Sequence, residues 1–429
     1  MNFGRKRAIV KISKHINSRL IFNPFIFSRM FWLWVILGIL GGTIAGLYWI
    51  ILEHFTHFLS TVSGIWIIPL MAVAGLLAGI VISKLGDPGE IDLIVDNIRF
   101  KGGRLNYKNN PSMLLSSLLC ISSGGSLGPE APLVQVAGST GSYLARKFRL
   151  KGEDVRSLTI AGMASAFTAL FGAPLGGSLF ALEILHHKHV TQYYQAMIPA
   201  IVASCSSYVV FLLITHTPIG PSWQFPPYVE TSLADLGSSI LYALVATAFG
   251  WLFILLVKNL KSFFRMLKIS VPLKLCIGGF LLGIIACYLP LTRYFGHDQI
   301  TDLLASDFSL TMLLLLLFGK MLAISLTVTS GWRGGFIIPL FFVAISLGLI
   351  IHKLFPQQNP ALVMVCCMAA INACVTRTPV SITVLLATMT GFHYFVPIMF
   401  ASLTGFFLAP RTPLINSQLS EGEHAGHNS

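Results

Sequence analysis

Residues 31–52, FWLWVILGILGGTIAGLYWIIL, run for 22 residues without an Asp, Glu, Lys or Arg. At about 1.5 Å per residue, a helix of that length spans about 33 Å, enough to cross the roughly 30 Å hydrocarbon core of a bilayer. Comparable spans are expected near 64–83, 195–215, 235–257, 271–290 and 309–328. Charged residues make up only 10% of the chain and hydrophobic ones 55%, against roughly 25% charged in a soluble domain. So few charges cannot coat a water-facing surface of this size. A soluble enzyme, a disordered chain and a nucleic-acid binder are excluded as the main body, leaving an all-α polytopic membrane protein.

The net charge of +13 is explained by where the basic residues lie. Seven of them (Arg5, Lys6, Arg7, Lys11, Lys14, Arg19 and Arg29) precede the first span, with no acid among them. A second cluster runs from Lys258 to Lys274 and a third from Arg146 to Lys151. Each flanks an apolar segment, as the positive-inside rule produces. Residues 1–30 are therefore expected to be a cytoplasmic segment in contact with lipid headgroups, with a short surface helix around Arg7–Ile16. They are too charged for a signal peptide. The seven cysteines lie in apolar stretches without CxxC spacing, which points to small core residues rather than a disulfide framework or zinc site.

Other apolar segments, at 112–121, 157–171, 174–185, 361–374 and 378–390, are too short to cross. Gly and Pro interrupt the chain at SGGSLGPEAP (123–132), FGAP (171–174), SGWRGGFIIP (330–339) and TRTP (376–379). Broken helices survive in a membrane only where their ends are buried in protein or line a polar cavity. The interruptions also repeat. Pro132 is followed by Pro174 after 42 residues, and Pro339 by Pro379 after 40. Met163-Ala164 and Met368-Ala369 each precede the second proline by 11. This pattern predicts two weakly similar structural repeats with many short, broken helices in corresponding positions, and a binding site at their interface. The first membrane half is expected over 31–216, a connecting loop over 217–234, the second half over 235–410, and a short polar tail over 411–429.

The turns carry the chemistry. Glycine lets a ligand approach the backbone, and proline suits a helix start because its missing N–H would be orphaned there. The following helix aims free N–H groups and a partial positive charge at whatever precedes it. Two such ends would hold a small anion without the full charge of a buried Lys or Arg, which would bind it too tightly for release. Glu130 stands in the first turn. An ionised carboxylate in hydrocarbon costs on the order of 3 kcal/mol, so it must face a cavity or a partner. At a positive helix end it would compete with the permeant anion, and protonation would release it.

GGSLGPEAPLVQVAGSTGSYLARKFRLKG, GAPLGGSLFALEI, SGWRGGFIIP and TRTPVSITVLLATMT, in this order, resemble the CLC family of chloride channels and proton-coupled chloride antiporters. The resemblance covers most of residues 30–410. It implies a homodimer with one pore per subunit, each pore built from two inverted halves and holding its anion on helix N-termini. It needs no cofactor. Carried over by motif, Glu130 matches the gating glutamate, with Gly128, Pro129 and Ala131 around it, Pro129 and Ala131 standing where Arg and Gly are usual. Gly335, Phe336 and Ile337 fall on the second anion-binding turn, where the amides of Phe336 and Ile337 would face the ion. Glu183 lies next to the family's internal proton glutamate and is, with Glu130, a candidate for a proton route. Lys320 matches a common basic position, with a structural lysine as the alternative.

Three departures follow from the same comparison. The first anion-binding turn, where a serine is usual, reads Gly86-Asp87-Pro88-Gly89-Glu90. Ile415 stands as counterpart of the pore tyrosine, and Ile184 occupies the internal proton-transfer position. These changes loosen the inner gate, weaken the case for proton coupling and leave the anion open among chloride, fluoride and nitrate. His186, His187 and His189 are read as a cytoplasm-facing cap rather than a metal site. The tail EGEHAGHNS is expected to be disordered, with no regulatory domain pair after it. A hydrolase would need a nucleophile or metal constellation within reach, and no HExxH motif is present. A cation carrier would need more acids and the opposite helix dipole. Anion transport, with proton counter-transport or without, is the reading that remains, and the bacterial inner membrane is the expected location.

Overall fold

The computed structural model describes residues 28–89, 91–185, 190–226, 228 and 232–418. The basic segment 1–27, Glu90, the histidines at 186, 187 and 189, and the tail beyond 418 lie outside the described residues.

Among the described residues there are sixteen α-helices and no strand. The first eight are α1 (Arg29–Ser60), α2 (Ile67–Leu85), α3 (Ile91–Phe100), α4 (Asn110–Ser122), α5 (Glu130–Lys147), α6 (Glu153–Phe171), α7 (Pro174–Glu183) and α8 (Val190–Thr215). The second eight are α9 (Leu233–Met266), α10 (Val271–Tyr288), α11 (His297–Ala305), α12 (Leu310–Ser330), α13 (Ile337–Leu354), α14 (Pro360–Thr376), α15 (Pro379–Thr390) and α16 (Phe395–Phe407). Seven stretches are long and apolar enough to cross a membrane: α1, 64–85, 195–215, α9, α10, α12 and α13. Six of these coincide with the runs read from sequence. The seventh, α13, is not among those runs, although a helix start is expected at Pro339. That proline occupies the third helical position, where no intrahelical bond is lost, so the helix runs on for 18 residues.

The two halves repeat in three dimensions. Helices α5 and α13 are both 18 residues long and both carry proline at their third position. Helices α6 and α14 end on left-handed residues, Gly172 (φ 64°) and Arg377 (φ 60°). Two residues later, Pro174 and Pro379 open the ten-residue α7 and twelve-residue α15. An arginine in that conformation is strained by roughly 1–2 kcal/mol. Its guanidinium compensates by donating to the carbonyls of Pro410 and Arg411, which fastens the chain beyond α16 to the end of α14.

Helix pairs approach closely through small residues, as membrane helices must when lipid offers no hydrophobic drive. The seam between α2 and α10 is reciprocal. Gly75 and Gly79 of α2 lie against the backbone of Leu275 and Pro272, while Gly279 and Gly283 of α10 lie against Met71 and Ile68. A side chain at any of the four would strike backbone.

Candidate functional site

The centre of the molecule is a two-residue bridge. Gly128 N–H donates to the Gly335 carbonyl, and Gly335 N–H donates to the Gly128 carbonyl, each at 2.7 Å. The residues are equivalent, each standing four before the helix-start proline of its half. The pairing ties the start of α5 to the start of α13. A Cβ on either glycine would fall on the Glu130 carboxyl group, which could not then keep this position.

Glu130 is the first residue of α5 and is buried, 1% exposed. Its side chain crosses to the other repeat, where the Ile338 N–H at the start of α13 donates to Oε1 at 3.2 Å. Oε2 has no hydrogen-bond partner among the described residues. The first turn of α5 has few free amides to offer, because Pro129 and Pro132 carry no N–H. The first turn of α13 offers those of Phe336, Ile337 and Ile338, ahead of Pro339. The carboxylate therefore lies between two positive helix ends, held by the amide one residue beyond the pair expected from sequence.

Beside it lies a cavity of about 70 Å³, lined by Glu130, Ala131, Gly335, Phe336, Ile337 and Ile415. Six of the candidate residues thus converge from sequence positions up to 285 apart (415 − 130). Gly128 and Pro129 are not on the wall. Gly128 holds the bridge, and Pro129 is the N-cap of α5. Ile184 is on the wall, as are Phe167 and Thr376, which sequence reasoning passed over. Ile415 is buried and fixed by its neighbours. Ser417 Oγ donates to the Asp92 carbonyl at 2.7 Å, and Arg99 donates to the Ser417 carbonyl. Gln418 Nε2 donates to the carbonyls of Ile184 (3.1 Å) and Thr376 (2.9 Å), closing the ends of α7 and α14 with one amide.

Glu183 is off the wall. Its carboxylate accepts from Val380 N–H at 3.0 Å, from Ser381 N–H at 2.7 Å and from the Ser381 hydroxyl. It is the anionic cap of α15, supplied from the end of α7. Lys320 is fully buried and donates to the carbonyls of Thr292 (3.1 Å), Arg293 (3.4 Å) and Tyr294 (2.8 Å), with Nζ 5.1 Å from the Phe342 ring centre. That is the structural alternative for this lysine.

The turn after α2 differs most from expectation. Asp87, for which the sequence offered no role beyond a surface loop, pairs with Arg333 at 2.7 Å. Arg333 also donates to the Gly89 carbonyl at 3.0 Å, and both Arg333 and Gly89 line the cavity. A full positive charge does stand at the candidate site, contrary to the expectation of helix ends alone, and a carboxylate balances it. The pairing spans 246 residues and follows no periodicity that a sequence could display.

The model of the family described as voltage gated chloride channel matches residues 83–410. An uncharacterized protein of Methanocaldococcus jannaschii is 29% identical over 372 residues, covering 86% of this chain and 91% of its own. A chloride/fluoride channel protein of Pseudomonas syringae pv. tomato is 28% identical over 323 residues, covering 73% of this chain and 69% of its own. Among solved structures, a CLC-type fluoride/proton antiporter superposes with a TM-score of 0.81 at 21% identity, covering 92% of this chain and 99% of its own. A slow cyanobacterial Cl⁻/H⁺ antiporter superposes with the same score at 19% identity, covering 94% and 99%.

Proposed function

We infer, since the chain belongs to the voltage gated chloride channel family, that it carries chloride or a similar small inorganic anion across a membrane. The route passes the cavity between the two repeats, and Glu130 is its gate. One observation carries the reading: the Glu130 carboxylate sits on the Ile338 amide in a buried pocket kept open by two glycines. A carboxylate held there occupies a seat that suits an inorganic anion equally well. Removing it, by protonation or displacement, frees the amides.

Protons take part through Glu130, the one carboxylate on the cavity wall among the described residues. Glu183 is engaged by three donors of α15, and Ile184 cannot relay a proton. Coupling, where it operates, therefore depends on water reaching Glu130. A second anion, fluoride, has support of its own: the first anion turn lacks a hydroxyl, and two of the similar proteins are described with fluoride. The working unit is a homodimer with one route per subunit, placed in a bacterial inner membrane with its N-terminus in the cytoplasm.

The test is anion efflux from liposomes holding the purified protein, with external pH recorded at the same time. Chloride or fluoride movement that drives protons uphill supports exchange. Anion movement without proton pumping supports a channel or uncoupled carrier. If chloride, fluoride and nitrate are all inert, the reading fails.

A further inference from the structure

The Arg333–Asp87 pair lies outside the two helix ends and has no part in the gate described above. Three features mark it as more than a surface ion pair. Arg333 is held at both sides in sequence: Trp332 Nε1 donates to the Leu275 carbonyl at 2.9 Å, and Gly335 is locked in the bridge to Gly128. The guanidinium is 8% exposed as part of its residue and borders the cavity that contains Glu130. Its partner is different in kind. The Asp87 side chain is 69% exposed, and its Oδ1 also accepts from the Gly89 N–H at 2.9 Å. The surrounding turn is fixed independently of the carboxylate: Gln135 Nε2 donates to the Pro88 carbonyl and Asn109 Nδ2 to the Asp87 carbonyl, both at 2.7 Å.

We propose that Arg333 is a charged anion-binding residue at the mouth of this cavity, and that an arriving anion displaces the Asp87 carboxylate from it. This inference rests on the transport reading and names a specificity-determining pair within it. An immobile guanidinium beside a small cavity would retain an inorganic anion too firmly for transport. Asp87 removes that difficulty, because one anion is exchanged for another on the same cation. The released carboxylate turns into water, where it is well solvated, while the turn stays in place on Gln135 and Asn109. The exchange also accounts for an acid in a turn where the family resemblance leads one to expect a hydroxyl.

The test is isothermal titration of the purified protein with potassium chloride and potassium fluoride, comparing wild type with Asp87→Asn, Arg333→Gln, Arg333→Lys and the Asp87→Asn/Arg333→Gln double variant. Asp87→Asn is expected to tighten anion binding about tenfold and Arg333→Gln to weaken it about tenfold or more, the sizes typical of charge-assisted contacts. Arg333→Lys, which keeps the charge but loses the planar fork, is expected to bind between wild type and Arg333→Gln. The double variant is expected to match Arg333→Gln alone, because Asp87 has nothing to release once the guanidinium is gone. The proposal is overturned if wild type binds anion and Arg333→Gln binds it equally well. It is overturned in its exchange half if Asp87→Asn has no effect, or has the same effect with and without Arg333. Binding by Arg333→Lys as weak as that by Arg333→Gln would assign the arginine to folding. Absence of anion binding by wild type would remove the transport reading itself.

Discussion

At the scale of single residues, the proposed gate depends on the charge state of Glu130, which would decide what else can occupy the site. Ionised, it takes the Ile338 amide and the space between Gly128 and Gly335; neutral, it no longer competes for a positive helix end. Anion flux in liposomes is therefore expected to rise as pH falls. Glu130→Gln should give a flux that is high and flat across the same pH range, and a pH response like that of wild type in this variant would refute the gate. Gly335→Ala tests the same point from the other side. Its new methyl group meets the carboxyl directly, so the carboxyl must leave its seat. Flux at neutral pH should then increase several-fold while the dependence on pH weakens. The sequence announced Glu130 because a carboxylate in an apolar turn demands an explanation. It could not announce Arg333, Thr376 or Gln418, whose roles depend on partners far along the chain. Nor could it tell Glu130 from Glu183 by role. Glu183 and Glu130 look alike as lone acids beside apolar helices, and only their hydrogen bonds distinguish them.

At the scale of elements, prolines and glycines made most of the architecture legible. Pro132, Pro174, Pro339 and Pro379 each stand in the first turn of a helix, and their spacing displayed the repeat before any helix was placed. At α13 they marked the helix start but not its length, so its 18-residue span was not among the expected crossings. Short amphipathic elements such as α3 and α11 were not legible. Each is about ten residues long, and they are positioned by contacts from elsewhere, α3 through Asp92 and Arg99 to Ser417. The α7–α15 junction offers the clearest element-level test. Glu183→Ala leaves the Val380 and Ser381 amides at the start of α15 without their acceptor, a loss of about 1–2 kcal/mol for a cap. The variant should unfold at lower temperature in detergent, and Glu183→Gln, which still accepts hydrogen bonds, should recover part of the difference. If Glu183 instead relays protons, Glu183→Gln would abolish uphill proton movement while leaving thermal stability unchanged. The two outcomes are separable in one preparation.

At the scale of the whole molecule, inverted repeats make the two ends of the protein structurally alike, so charge must supply the difference between the membrane's two sides. The start of α1 and the end of α5 lie together, with the Arg29 guanidinium 5.0 Å from the Phe148 ring centre. Arg29 thereby joins the basic cluster from Arg146 to Lys151 at one side of the molecule. Lys274 at the start of α10 lies 5.7 Å from the ring of Phe264 at the end of α9, which brings the basic cluster of the α9–α10 connection into one place as well. Helix α1 has 32 residues, about 48 Å at 1.5 Å per residue, more than the hydrocarbon thickness requires, so its far end at Ser60 belongs to the opposite side of the membrane. The positive-inside rule then predicts an orientation with Arg29 and Lys151 toward the cytoplasm. Single cysteines introduced as Lys151→Cys and Ser60→Cys test this with a membrane-impermeant thiol reagent on intact cells, using the parent protein as background. Ser60→Cys should label from outside, and Lys151→Cys only after the cells are opened. The reverse pattern would overturn the orientation, and labelling of both from outside would show that a symmetric fold can insert either way when its basic clusters are too weak to direct it.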